Sequence, residues 1–168
     1  MRVHSKSKLL ILAAAVAAAA PAVAAPLVRH KGAPDAIILQ GVTVPAGSET
    51  LILSGQLASP IDPSRPATTI ADYGDTKTQT VSTFKRIETI LKAHGYAMGD
   101  VVKLTVFVAG DAKLGGKMDF AGFNDGYKQF FGTPEQPNLV ARSTVQVAAL
   151  AGPMYLIEIE AIAVKAPQ

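Results

Sequence analysis

The chain of 168 residues contains no cysteine and only three histidines. The absence of cysteine excludes disulfide frameworks, cysteine-ligated zinc, iron–sulfur clusters and thiol nucleophiles. Three histidines leave little material for a histidine-rich metal site, so we expect no metal centre. Hydrophobic residues make up 49% of the chain and charged residues 17%, which predicts one domain with a substantial core.

Residues 1–24 have the pattern of a secretory signal peptide. Three basic side chains and no acidic one precede an apolar run over residues 9–20, and Ala22 and Ala24 form an A-x-A cleavage pattern. The alternative is an uncleaved membrane anchor, but a bilayer needs an apolar run of roughly 20 residues. We therefore expect a single mature domain over residues 25–168, periplasmic or secreted, with no membrane attachment after cleavage.

The mature chain should carry almost no net charge. The whole sequence has 16 basic and 13 acidic residues, and the first 24 residues hold three of the basic ones, so 13 of each sign remain. Nucleic-acid binding depends on phosphate neutralisation by a basic surface. The sequence therefore predicts no nucleic-acid partner.

Hydrophobic patterns predict five strands and two helices in the order β-β-α-β-α-β-β. Both helices join strands and should pack on one face of a mixed sheet, which makes the fold class α+β. The opposite face of the sheet would have no helices on it, and we expect other copies of the chain to cover it in an oligomer. The predicted strands cover residues 37–43, 51–56, 101–108, 141–147 and 154–164, and the predicted helices cover 76–94 and 118–131.

Four local features complete this expectation. A turn at residues 45–48 should join the first two strands as a hairpin. Thr76 and Gln79 have the spacing of a capping box at the start of the first helix. Residues 25–35 should form an irregular lead-in, and the proline-containing stretch 59–74 a long surface loop.

The last two predicted strands carry the most informative polar residues. Period-2 alternation places Arg142 and Thr144 on one face of their strand, and Glu158 and Glu160 on one face of the next. A turn centred on Ala151 would set Thr144 opposite Glu158 and Arg142 opposite Glu160. This register predicts a compact polar patch, which is either a functional site or ordinary cross-strand charge pairing on a solvated surface.

Five sequence blocks resemble the RidA/YjgF family of reactive enamine/imine deaminases. They occur in the family's order and cover roughly residues 36–165. The blocks are Ser-Gly-Gln at 54–56, Gly-Asp-Val-Val-Lys-Leu-Thr-Val-Phe-Val at 99–108, Phe-Asn-Asp-Gly-Tyr at 123–127, Ala-Arg-Ser at 141–143 ahead of Val-Gln-Val-Ala at 145–148, and Ile-Glu-Ile-Glu-Ala-Ile-Ala-Val at 157–164.

The resemblance implies a chorismate-mutase-like fold and a homotrimer with three clefts between subunits. It also implies hydrolysis of small 2-imino acids to 2-keto acids and ammonia, without a metal or an organic cofactor. Arg142 matches the arginine that clamps the substrate carboxylate, and Glu158 matches the glutamate that holds and activates the attacking water. The Ser54 and Gly55 backbone would line the same cleft and Asn124 would lie near it, whereas Tyr127 would support the fold.

The sequence departs from the family pattern at two expected substrate-binding positions. Thr144 stands where many active members carry cysteine, and Ile38 stands where a cleft tyrosine is common. The loop over residues 60–74 is also longer than the family's usual connection. Two alternatives stay open: a non-catalytic binding protein for a keto or imino acid, and the ribonuclease or translation-inhibitor role of some relatives, against which the neutral mature chain argues.

Overall fold

A computed structural model of the chain describes residues 25–167. The signal peptide predicted for residues 1–24 lies outside the described residues. The elements in chain order are β1 (Val28–Lys31), β2 (Leu39–Thr43), β3 (Glu49–Leu57), α1 (Ile70–Tyr73), α2 (Thr76–Ala93), β4 (Val101–Ala109), α3 (Phe120–Tyr127), β5 (Ala141–Val147) and β6 (Ile157–Lys165). Two short 3-10 turns, Met98–Asp100 and Ala112–Leu114, lie before and after β4.

The described strands form one mixed sheet in the order β1-β2-β5-β4-β6-β3. β5 runs parallel to both of its neighbours, β2 and β4, and the remaining neighbours are antiparallel. β4 has a partner along each edge and is rich in β-branched residues, as is usual for a strand buried inside a sheet.

The core lies between one face of the sheet and the helices α2 and α3. Helical spacing brings Phe84, Ile87 and Leu91 of α2 onto the sheet, where they meet Leu104 and Ile159. These five side chains are fully shielded from solvent. The α+β class and the packing of both helices on one face are thereby confirmed.

The opposite face of the sheet is not covered within the described chain. Ile52 in β3 is 73% exposed and Val145 in β5 is 46% exposed. Phe107 and Ile162 are half-buried on the same face. Polar side chains such as Glu160 lie between these apolar ones on the same face. Exposed apolar side chains grouped on one face occur at interfaces between copies.

The predicted hairpin between the first two long strands is wrong. β2 lies beside β5, whereas β3 lies at the far edge of the sheet beside β6. β3 pairs with β6 over nearly its whole length, from Glu49 with Lys165 to Leu57 with Glu158. The long antiparallel pairing therefore decides the position of β3, and the short turn at residues 45–48 does not.

A polar strand precedes the first predicted one, within the stretch expected to be irregular. β1 pairs with β2, and the Arg29 guanidinium donates to the carbonyl oxygens of Val101, Leu139 and Gly99 at 2.9, 2.7 and 2.8 Å. The three accepting carbonyls lie at least 70 residues away from Arg29 in the sequence. Because β1 is held by long-range hydrogen bonds and not by an apolar face, its own sequence shows no hydrophobic alternation from which a strand could be predicted.

The start of α2 differs from the predicted capping box. Asp75 is the N-cap, and its carboxylate accepts from Thr78 N at 2.8 Å. Thr76 and Gln79 are fully buried instead. The Gln79 amide donates to the carbonyls of Gly74 and Met154, and it accepts from Leu156 N at 2.9 Å.

Two other predicted elements are shorter or more ordered than expected. α3 begins after Asp119, whose carboxylate accepts from Gly122 N at 2.8 Å, and it ends at Tyr127 rather than at residue 131. The predicted loop 59–74 contains α1 near its end. Tyr73 of α1 is buried in an edge contact with the Tyr155 ring, with centroids 5.1 Å apart. This contact ties the end of the loop to the chain that leads into β6.

Replacing Gln79 with leucine should destabilise the fold. The substitution leaves two buried carbonyls and one buried N–H without their partner, so we expect the free energy of unfolding to fall by at least about 2 kcal/mol in urea denaturation. Gln129→Leu is the matched control, because this exposed side chain makes one bond at 3.3 Å. Equal effects of the two substitutions would contradict the bridging role of Gln79.

Candidate functional site

Arg142 and Glu158 project from opposite faces of the sheet. Directly paired residues of neighbouring strands share a face, and Arg142 pairs with Leu104, which is fully buried beneath the helices. Glu158 pairs with Phe107 on the open face. The predicted register between the last two strands is therefore wrong, because β4 lies between them and pairs Thr144 with its own Val106.

The guanidinium of Arg142 lies beneath one face of α3. Its carbon is 4.8 Å from the ring centroid of Phe123 and 4.6 Å from that of Tyr127. The Phe120 ring lies farther away, at 5.9 Å. Nη2 donates to Asn124 Oδ1 at 2.9 Å. Cation–π contacts and a hydrogen bond thus stabilise a charge that is partly removed from water.

The helical repeat explains why these four side chains meet the arginine. Phe120, Phe123, Asn124 and Tyr127 stand at positions i, i+3, i+4 and i+7, which form one face of a helix. The predicted proximity of Asn124 to Arg142 is a direct contact. Tyr127 was expected only to support the fold. The signal in the sequence for a further role was the spacing of the aromatic residues on the same helix face as the Asn124 amide, because this face surrounds the Arg142 guanidinium.

Among the residues that the structure describes, the other terminal nitrogen of Arg142 has no partner. Nη1 is shielded from solvent and makes no hydrogen bond within residues 25–167. Burial lowers the pKa of Arg142, but a guanidinium stays charged in proteins. The arginine is therefore held in place through one nitrogen while the other remains available to an anion.

Thr144 lies two residues further along β5 on the same face as Arg142. Its Oγ1 is buried and lacks a hydrogen-bond partner among the residues that the structure describes. β2 and β5 pair at one position, Leu39 with Ala141, so the sheet opens directly beside Arg142 and Thr144. The opening leaves one edge of β5 without a neighbouring strand.

Glu158, Ser54 and Gly55 form a second group on the open side of the sheet. The pairing of β3 with β6 is interrupted between Leu53 and Gln56, and this irregularity contains Ser54 and Gly55. A Cβ atom on Gly55 would overlap the Glu158 carboxylate. A larger residue at position 55 would therefore displace the half-buried Glu158 carboxylate from this position beside β3.

Ile38 belongs to neither polar group. It is half-buried and packs against the core. The carbonyl of the preceding residue, Ile37, accepts from the Tyr127 hydroxyl at 3.0 Å. Ile38 therefore contributes an apolar side chain to the core. The structure brings together Arg142, Thr144 and Asn124 and separates them from Glu158.

Residues 25–167 contain no group of three or more His, Asp or Glu side chains arranged to hold a metal ion. None of the helices in this range combines the length and the apolar character needed to span a membrane.

Residues 39–165 match the model of the family described as Endoribonuclease L-PSP. The chain is 39% identical over 137 residues to the 2-iminobutanoate/2-iminopropanoate deaminase of Salmonella typhimurium, with 80% of this chain and 94% of that protein covered. It is 40% identical over 115 residues to a RutC family protein of Pyrococcus horikoshii, with 68% and 79% covered.

Solved structures show the same similarity. The crystal structure of E. coli TdcF with bound serine gives a TM-score of 0.54 at 35% identity and covers 82% of this chain and 94% of TdcF. A putative endoribonuclease of Thermotoga maritima gives a TM-score of 0.52 at 35% identity, with 69% and 79% covered. The similarity therefore extends over most of the described fold.

The burial of Tyr127 predicts a pH dependence of stability. Burial raises the pKa of Tyr127 to about 12, above the value near 10 of an unfolded tyrosine. Between these values the unfolded chain releases the proton first, so this residue lowers stability as pH rises from about 10 to 12, by about 2 kcal/mol.

Urea denaturation at a series of pH values checks this expectation. Tyr127→Phe removes the titrating group, so the variant should lose less stability than the wild type above pH 10. At neutral pH it should be less stable by about 1 kcal/mol, because the bond to the Ile37 carbonyl is lost. Parallel losses in the two proteins above pH 10 would show that Tyr127 does not cause the dependence.

Proposed function

Because this chain belongs to the RidA/YjgF family, we propose that it hydrolyses small 2-imino acids to 2-keto acids and ammonia. The observation that carries this proposal is the partly buried Arg142 guanidinium, which is oriented by Asn124 and has one terminal nitrogen without a partner in the described chain. Arginine is well suited to carboxylate recognition because its N–H groups are fixed in a planar fork.

Two relatives support a substrate of this class. One is named 2-iminobutanoate/2-iminopropanoate deaminase, and TdcF has been crystallised with serine. Serine carries a carboxylate beside a carbon that bears nitrogen, and 2-imino acids share this arrangement. A fixed cation beside an apolar wall, which here includes the Phe120 and Phe123 rings, is suited to such a small molecule.

The proposed reaction needs one proton acceptor. Water adds to C2 of the protonated imine while the Glu158 carboxylate accepts a proton from it. This proton then passes to the nitrogen and makes it an ammonium group. The C2–N bond breaks as the C2 hydroxyl gives its proton to the Glu158 carboxylate, so that C2 becomes a carbonyl and ammonia leaves. A modest base is sufficient because a protonated imine carbon is already strongly electrophilic.

The proposed site requires more than one copy of the chain. Arg142 lies on the helix face and Glu158 on the open face of the same sheet, so one substrate cannot contact both within a protomer. We place the site between neighbouring copies of a homotrimer, with Arg142 from one and Glu158, Ser54 and Gly55 from the next. The exposed apolar face of the sheet supports such an assembly.

A non-catalytic binding protein is the second candidate. The serine complex of TdcF is an observation of binding, and Ile38 places no phenol beside the cleft. Release of ammonia from 2-iminobutanoate that an amino-acid oxidase generates separates the two functions, because a binding protein would leave the spontaneous rate unchanged. The ribonuclease role suggested by the family description is disfavoured by the balanced charge of residues 25–168.

Arg142→Ala should abolish the protein-dependent release of ammonia. We expect a loss of at least about 100-fold, because the carboxylate then has no fixed cation. The oligomer, measured by light scattering, should stay intact. Glu158→Gln should lose activity in the same assay. Full activity of the arginine variant would rule out the proposed mechanism.

Mixing these two inactive variants tests the shared site. When Arg142→Ala and Glu158→Gln chains are co-expressed and assemble at random, about one quarter of the sites should combine an intact Arg142 with an intact Glu158 from the neighbour. Ammonia release should recover to about that fraction of the wild-type rate. No recovery in purified mixed oligomers would show that the two residues do not meet across an interface.

We also propose that residues 1–24 direct export to the periplasm or the medium and are then removed. Intact-mass analysis of protein from the periplasmic fraction should show a chain that begins at Ala25. Ala24→Tyr should block cleavage, because the A-x-A pattern needs a small residue before the cut. A full-length chain in the cytoplasmic fraction would contradict this proposal.

A further inference from the structure

The Thr144 hydroxyl is an unused polar group on the helix face of β5. Its neighbours on this face are Val106 across the strand pair and Arg142 and Gln146 along the strand. Val106 is apolar. The Gln146 amide already donates to the Gly116 carbonyl at 2.8 Å and accepts from Met118 N at 3.0 Å. Within residues 25–167 the hydroxyl is therefore left without a hydrogen-bond partner.

Arg142 Nη1 is a second unused donor, and it comes from the same face of β5 as this hydroxyl. Both atoms are shielded from solvent and lack a partner within the part of the chain that the structure describes. The buried hydroxyls of Thr76 and Thr83 are also unpartnered, but they lie on α2, where the helix's own carbonyls are close. On β5 the two unused donors come from residues i and i+2 of one strand and face the same side.

A carboxylate matches this pair of donors, since it has two oxygens that can each accept a hydrogen bond. We propose that Thr144 is the second donor to the substrate carboxylate: its hydroxyl donates to one oxygen while Arg142 Nη1 donates to the other. This inference rests on the proposed function because it concerns the same bound molecule. A cysteine at position 144 would donate only weakly.

The opening between β2 and β5 provides the path to these donors. The two strands pair only at Leu39 and Ala141, and the free edge of β5 begins at the next residue. The Phe120 ring, which is 44% exposed, lies on the helix side of Arg142.

The proposal predicts opposite effects of one substitution on stability and on binding. Thr144→Val keeps the shape of the side chain and removes the unpartnered hydroxyl. The free protein should therefore melt at the same temperature as the wild type or higher, since a buried polar group without a partner is unfavourable. The dissociation constant for 2-oxobutanoate should rise about 10-fold or more, because a hydrogen bond to a charged group is lost.

Calorimetric titration with 2-oxobutanoate and with butyrate, beside thermal melts, tests each part. Thr144→Val should weaken both ligands by a similar factor, because they share the carboxylate. Thr144→Ser, the matched control, keeps the donor and should bind both within about threefold of the wild type. A purely structural role of the hydroxyl would instead lower the melting temperature of the valine variant.

Three results would overturn the inference. Unchanged affinity of Thr144→Val for both ligands would show that the hydroxyl does not contact them. Weaker binding of 2-oxobutanoate alone would place the contact at the keto oxygen rather than at the carboxylate. A wild-type protein that binds neither ligand would remove the proposed function together with this inference, whereas the first two results leave that function intact.

Discussion

The burial of one cation beneath a short helix organises the helix side of the candidate site. The Arg142 guanidinium contacts the Phe123 and Tyr127 rings and donates to Asn124 at 2.9 Å. A charge that is taken out of water needs such contacts to compensate for lost hydration. The same contacts connect α3 to β5, whereas its packing against α2, where the Tyr127 ring meets Phe84, holds the helix from the other side.

The order of the strands is the second constraint on the site. β4 is inserted between β5 and β6, so residues that are close in a simple hairpin become separated by a strand. The pairing also sends Arg142 towards the core and Glu158 towards the open face. Any chemistry that uses both side chains is thereby linked to the association of copies, and an exposed apolar sheet face is compatible with that link.

Strong local periodicity made several elements predictable. The helix over α2 followed from Phe84, Ile87 and Leu91, and β4 and β5 followed from their β-branched and alternating residues. The hairpins were wrong because alternation indicates which face of a strand is apolar and carries no information about its neighbour. The prediction of Gln79 as part of a capping box was wrong because local spacing cannot indicate a partner far away in the sequence. The Met154 carbonyl, to which the Gln79 amide donates, lies 75 residues away.

The resemblance to a family located Arg142, Glu158 and Asn124, and the structure explained their separation. The sequence alone determined the composition of the core, the main helices and strands, and the residue types available for chemistry, because these depend on local pattern and on side-chain identity. Only the tertiary structure decided which groups share a face, that Arg142 and Thr144 keep unused donors, and that the Glu158 carboxylate lies against Gly55. Those relations arise from strand order and long-range packing, for which no short stretch of sequence carries a signal.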